Sequence, residues 1–335
     1  SCTIKEIKVI MENLRRSRFS RHHLNKKDAG FMHLFISKRL IHGAAAALTG
    51  IFVPIFIYKT TGESFFLIGG YYALLSLAYL VMLVPGMKVA NHIGFSHTLV
   101  LSGFFSVLTY VILFFLSPEN VWVLMWPLAA VIVAFRVFHW VPYHVDFALF
   151  TKSGERGRLV SLSFATIAFL GAVGPILAGF IIANAGYTTL FGVVIVLLIA
   201  ATVSYAYVPE TPTHYDWSFK ETFRKLMSPK MRGLVIGEFA NGAETIVNIV
   251  VWPIFLYEIL NGDVMSIGAL STFIVGVTVV LQLLLGRYLD GRSDAKRKTL
   301  RVGSTLYAIG WIFKIFVLSA AQVFFVGLYH NIMKI

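Results

Sequence analysis

A single cysteine, Cys2, occurs in 335 residues, which excludes an intramolecular disulfide and any cysteine-built metal site. Charge is scarce too: Asp, Glu, Lys and Arg make up 13% of the sequence, with 16 acidic side chains against 29 basic ones. No H-E-x-x-H, G-x-S-x-G or G-x-x-x-x-G-K-[ST] pattern occurs. Zinc hydrolysis, nucleophile-elbow chemistry and ATP-driven pumping by this chain therefore lack sequence support. No group of His and carboxylates has metal-ligand spacing, so no cofactor, no metal and no enzymatic activity are expected. The apolar segments also lack strict alternation, which argues against a membrane barrel.

What is present is hydrophobic length. The chain is 57% hydrophobic with a mean hydropathy of +0.77, too apolar for a soluble domain of this size. About 20 apolar residues cross a hydrocarbon core of about 30 Å. On that measure, helical spans are predicted near 36–58, 65–85, 97–116, 121–145, 160–183, 188–208, 233–257, 264–286 and 301–320, and a tenth begins at Val323. The longest polar interruption is 209–232. The predicted organisation is a leader over 1–32, six helices over 33–208, a linker over 209–232 and a partial second half over 233–335. The chain thus reads as part of a longer protein. In the leader, Ile4, Ile7, Ile10 and Leu14 have helical spacing among basic residues, which fits an interfacial helix or a solvated arm equally well.

Positive charge sits in alternate loops. Ten Lys/Arg residues precede position 41. Lys88, Lys152, Arg156 and Arg158 follow on the same side, with Lys220, Arg224, Lys225, Lys230 and Arg232, and then Arg287 to Arg301. The opposite loops carry Lys59 against Glu63, Glu119, Glu258 and Asp263. This is the positive-inside pattern. It predicts an integral, multi-pass membrane protein with a cytoplasmic N-terminus, in the inner membrane of a prokaryote. The net charge of +13 is assigned to topology and anionic lipid headgroups rather than to nucleic acid.

Four pieces then resemble the major facilitator superfamily over roughly 33–335. After span eight, the loop from Gly286 through Asp290, Arg292, Lys296 and Arg297 is similar to the family's G-x-x-x-D-R-x-G-R-R motif, departing from it at Gly291, Ser293 and Ala295. The matching loop after span two, Gly86 to Gly94, is degenerate and has no acidic residue. In span five, Gly174-Pro175-Ile-Leu-Ala178-Gly179, with Gly171 nearby, resembles the G-P-x-x-G-G motif of antiporters. Span six ends in Pro209-Glu210-Thr211-Pro212, similar to a common family ending. The resemblance implies two helical bundles around a central cavity, and a monomeric secondary transporter of a small solute. Proton-coupled export is the favoured mode; facilitated diffusion, uptake and a non-transporting receptor or scaffold are the alternatives. It also implies a gating latch at Gly286, Asp290, Arg292, Lys296 and Arg297. Independently of any family, small residues at Gly171, Gly174 and Gly179 let helices approach closely, and Pro175 kinks its helix.

Ionisable residues inside a membrane mark functional faces. In span four, Arg136, His139, Tyr143 and Asp146 fall within roughly 80° of one another around a helix, with Trp140 and His144 off that face. Arg136 lies about 22 Å along the span and resembles the single arginine of the family's fourth-helix motif, although Trp140 stands where a glycine is expected. Span seven offers Glu238, Asn241, Glu244 and Asn248 over about 120°. Carboxylates removed from water hold protons more tightly, and a nearby cation does the reverse. A carboxylate that gains and loses Arg136 as helices rock would couple proton binding to access, with Glu244 as the deeper candidate. His42 is expected to be hydrogen-bonded within a helix bundle. Lys314, on a face with Tyr307 and Gly310, is a buried counterion, an anion ligand or a snorkelling side chain. Tyr71, Tyr72, Tyr79, Trp126, Trp140 and Trp252 are candidates for stacking on a substrate, or for the interfacial belt. Asn184 and Gln282 read as packing groups.

Overall fold

The computed structural model describes residues 28–151, 156–289 and 293–333, and no strand occurs among them. Cys2 and the Ile4–Leu14 stretch lie outside the described residues. The first span is a bent pair, α1 (Asp28–Thr49) and α2 (Phe52–Thr60), turned by 42°. The bend has a local cause: Pro54 has no N–H to offer the Gly50 carbonyl. Next come α3 (Phe65–Ile93), α4 (Phe95–Phe115) and α5 (Val121–Phe150). Ser64 caps α3 by accepting from the Leu67 amide. Gly94, at φ 88°, turns the chain from α3 into α4.

The long element α6 (Arg156–Tyr205) breaks at Gly186, whose φ of 80° is non-helical. Its 49-residue apolar run would extend about 74 Å, more than twice a hydrocarbon core, so it makes two crossings. The linker holds the short helix α7 (Phe219–Leu226), closed by a Ser218–Glu221 capping box. Beyond it lie α8 (Arg232–Ile259), α9 (Val264–Leu289), α10 (Ser293–Ile315) and α11 (Ala320–Met333). Among the described residues six helices are long and apolar enough to cross a membrane, and the bent pair makes a seventh. The protein is an all-α, multi-pass membrane protein.

The two halves reuse local devices. A π-helical turn interrupts span one at Phe35–Ile41 and span seven at Val247–Val251. The turn after span one places Gly62 and Glu63 at positive φ, and the turn after span seven does the same with Asn261 and Gly262.

Packing is uneven along α8. Val250, Ile254 and Leu256 are buried, whereas no residue of Arg232–Ile246 is. Val250 and Ile254 join a core with Ile57 and Tyr58 of α2, Tyr72 of α3 and Phe191 of α6. A second core joins Ala45 and Leu48 of α1, Ala178 and Ile182 of α6, and Ile267 and Ile274 of α9. That core contains a seam of backbone-to-backbone contact between α6 and α9. A Cβ on Gly268 of α9 would collide with the Pro175 carbonyl, and one on Gly179 would lie 2.7 Å from the Val264 carbonyl oxygen. The Ile176 amide donates across the seam to Thr272 Oγ1 at 3.1 Å. Gly174 faces α1, where an added Cβ would meet Ala47 at 2.6 Å. The small residues around Pro175 thus bring α6 against both α1 and α9. Gly171 is looser, with Val275 Cγ1 3.9 Å from an added Cβ.

Candidate functional site

Two polar clusters stand on the two π-helical turns. A π turn changes the register of a helix by one residue and often marks a functional position. In span one it carries Lys38 and Arg39; in span seven it carries Asn248.

The cluster in the second half is a chain of hydrogen bonds. Asn248 Nδ2 donates to Glu244 Oε1 at 2.9 Å, and Lys314 Nζ donates to Asn248 Oδ1 at 3.1 Å. The Tyr307 hydroxyl lies beside Glu244. The Lys314 ammonium lies between two indoles, 4.6 Å from the Trp252 ring centre and 4.1 Å from that of Trp311. Lys314 thus contacts Asn248 and the two indoles. A cavity of about 300 Å³ adjoins it, lined by Ile51 between α1 and α2, Asn248 and Trp252 of α8, Ser271 of α9 and Asn331 of α11. The second half lines most of it, and Ile51 is the first half's contribution. Glu238 and Asn241 are exposed nearer the basic end of α8, joined to each other at 3.4 Å.

The cluster in the first half is cationic and aromatic. Lys38 is 8% exposed, with Nζ 4.7 Å from the Trp140 ring centre and 6.0 Å from that of Phe135. The Arg39 guanidinium lies 5.2 Å from the Tyr143 ring centre, and its Nε is buried without a hydrogen-bond partner. His42 stacks against Phe135 and His139 at 5.4 and 5.5 Å. His139 is fully buried; its Nδ1 lies 3.2 Å from Ser102 Oγ, and its Nε2 has no partner. Among the described residues, no carboxylate lies within ion-pair distance of Lys38 or Arg39. Contact with aromatic faces returns about 2 kcal/mol to a desolvated cation. The effective penalty for removing an ion from water is several kcal/mol.

The four span-four positions separate in space. His139, Tyr143 and Asp146 point into the first bundle, against Ser102 and Ser96 of α4 and Tyr205 of α6. Arg136 is half-buried and interacts with Tyr71, Tyr72 and Tyr79 of α3. Trp140 and His144, off the face chosen from the sequence, stack on each other at 5.9 Å and stand on the exposed side. Trp126 is exposed on the outer surface of α5, and Asn184 donates to the Phe180 carbonyl of its own helix. The residues that sequence reasoning passed over are Lys38 and Arg39. Their signal was two adjacent cations within reach of an apolar span, and the abundant leader charge hid it.

Asp146 has a different partner set from the arginines beyond it. It accepts from Thr211 Oγ1 at 2.7 Å and more weakly from Ser96 Oγ at 3.4 Å. Ser96 Oγ also donates to the Pro209 carbonyl at 2.8 Å, and His97 meets Glu210 at 2.9 Å. Further along, Asn91 and the Tyr215 backbone exchange two hydrogen bonds of 2.8 Å. The Pro209–Pro212 segment is thereby fastened to the basic ends of α3, α4 and α5, and Asp146 belongs to that anchor. For the gating set, the side chains of Gly286, Asp290, Arg292, Lys296 and Arg297, like that of Gln282, lie outside the described residues.

The family model of the Major Facilitator Superfamily matches residues 39–233, from the π turn of span one through the linker. No curated protein matches the chain.

Proposed function

The chain belongs to the Major Facilitator Superfamily, a transporter family rather than an enzyme family, and from that premise we propose a secondary active transporter coupled to protons through Glu244. The observation that carries the reading is the Glu244–Asn248–Lys314 chain at a cavity lined by the second half and by Ile51 of the first. The Asn248 amide donates to the carboxylate and accepts from the ammonium, so both charged forms are favoured while the chain is closed. When helix motion pulls α8 away from α10, the carboxylate loses that support and takes up a proton. Release follows when the chain re-forms. Lys314 thereby fills the part assigned to Arg136 on spacing alone. Alternating access rocks one half against the other around this cavity, with the Gly179–Gly268 seam as a contact between them. The solute is a small molecule, the N-terminus is cytoplasmic, and the chain works as a monomer. Export is the direction favoured by the Gly174–Pro175 resemblance.

The test is internal pH in proteoliposomes of the full-length protein while solutes are added outside. A solute-dependent proton flux lost in Glu244→Gln, with exchange of labelled solute retained, is the expected result. Undiminished uphill transport in Glu244→Gln would sink the coupling role.

A further inference from the structure

We infer that the cationic cluster of span one, Lys38 and Arg39 with Trp140 and His144 at its exposed edge, binds the oxyanion group of a small anionic solute. The inference rests on the transporter reading above and adds the class of solute to it.

Three independent observations converge. Among the described residues, Lys38 is buried against the aromatic faces of Trp140 and Phe135, while Arg39 keeps a buried Nε without a hydrogen-bond partner. No carboxylate among the described residues neutralises either one. A buried lysine beside a half-buried arginine is stabilised by an anion, and no carboxylate among the described residues supplies one. The pair also sits on a π turn, a feature that often marks a functional position. Finally, the cluster has an open edge: Trp140 is 39% exposed and stacks with exposed His144, so a ligand reaches Lys38 across an indole.

The chemistry selects a carboxylate or phosphate. Arg39 supplies a planar fork and Lys38 a point charge, and both suit oxyanions. An anionic lipid headgroup carries the same chemistry, so the test separates the two sources. Full-length protein is melted in neutral detergent and in phosphatidylcholine vesicles at fixed ionic strength, with chloride replaced by succinate or inorganic phosphate. The same melt is run in vesicles containing phosphatidylglycerol without added anion. Succinate or phosphate is expected to raise the melting temperature in millimolar amounts. That rise disappears in Lys38→Met and persists in Lys38→Arg.

Lys38→Met, which removes an unpaired buried charge, is also expected to melt no lower than the parent protein without ligand. A marked fall would mean that Lys38 already has its counter-charge, and would overturn the inference. So would stabilisation by phosphatidylglycerol alone, which would assign the cluster to lipid. Flux in proteoliposomes keeps the two proposals distinguishable. Transport of a neutral or cationic solute with no anion-induced stabilisation removes the anion site and leaves the transporter. Lys38-dependent stabilisation without flux leaves the site and removes the coupled-transport reading.

Discussion

The seam between α6 and α9 permits a controlled test of how the two halves are held. In Gly268→Ala the new Cβ runs into the Pro175 carbonyl and lies 3.1 Å from its carbon and 3.3 Å from Ile176 Cα. All three neighbours are backbone atoms, so no side-chain rotation relieves the overlap. The helices must instead separate by about 0.5–1 Å, a gap that forfeits a quarter to a half of each dispersion contact along the seam. Overpacking of this kind costs about 1–3 kcal/mol. Stretching the Ile176–Thr272 hydrogen bond adds about 1 kcal/mol, and the helix propensity of Ala returns about 1 kcal/mol. Gly276 lies two turns along the same helix with nothing within 4 Å of an added Cβ, so Gly276→Ala retains only the propensity gain. The two variants make the same chemical change, and their stabilities should differ by about 2–4 kcal/mol. Thermal or denaturant unfolding of purified full-length protein, in one detergent at one concentration, reads that difference. Equal stability of the two alanine variants would refute the backbone-contact argument. A Gly268→Ala protein more stable than Gly276→Ala would refute it more strongly.

Asp146→Ala should cost about 1.5–3 kcal/mol, the range for hydrogen bonds to a charged group, by stranding the Thr211 hydroxyl, whereas Ser96 keeps its bond to the Pro209 carbonyl. Asp146→Asn, which keeps an acceptor oxygen, should lose less, and a melting comparison checks the order. Asn91→Ala removes both hydrogen bonds to the Tyr215 backbone and should speed protease cleavage within 209–231 relative to the parent, read by limited proteolysis. The Asp263 carboxylate, before α9, is held below the usual carboxylate range by the Ser266 hydroxyl and amide, with a smaller part from the Met265 amide. Its capping contribution is present above the unfolded carboxylate pKa and is lost as pH falls through the lowered folded value. Hydrogen exchange at Met265 and Ser266 should therefore gain extra protection loss in acid, and Asp263→Asn should remove that pH dependence.

Much of the candidate site was legible as residue type and depth, and much less as partnership. Helical spacing placed His139, Tyr143 and Asp146 on one face, and they do share a direction. That direction is the interior of the first bundle, because α4 and α6 supply Ser102, Ser96 and Tyr205 opposite them. Periodicity gives the angle of a side chain about its own axis, but not which neighbour occupies that angle. Glu244 and Asn248 stood out for the same reason, as polar groups inside an apolar run. Their connection to Lys314 spans 66 residues, and no local spacing encodes it. Lys38 and Arg39 were overlooked because a basic leader and a buried cation pair look alike when charge is counted along the chain.

The sequence by itself determined the helical class, the near-correct placement of most spans and the membrane environment. Apolar length and the need to satisfy backbone groups in hydrocarbon leave little choice among structures. It also determined where α6 must fold back, since Gly186 tolerates a positive φ that other residues resist. Only the tertiary structure decided which charges meet. Asn248 bridges Glu244 to Lys314, Thr211 holds Asp146, and Lys38 faces indole rather than carboxylate. The physical reason is that burial and pairing energies depend on the distances between helices, which packing of distant segments fixes.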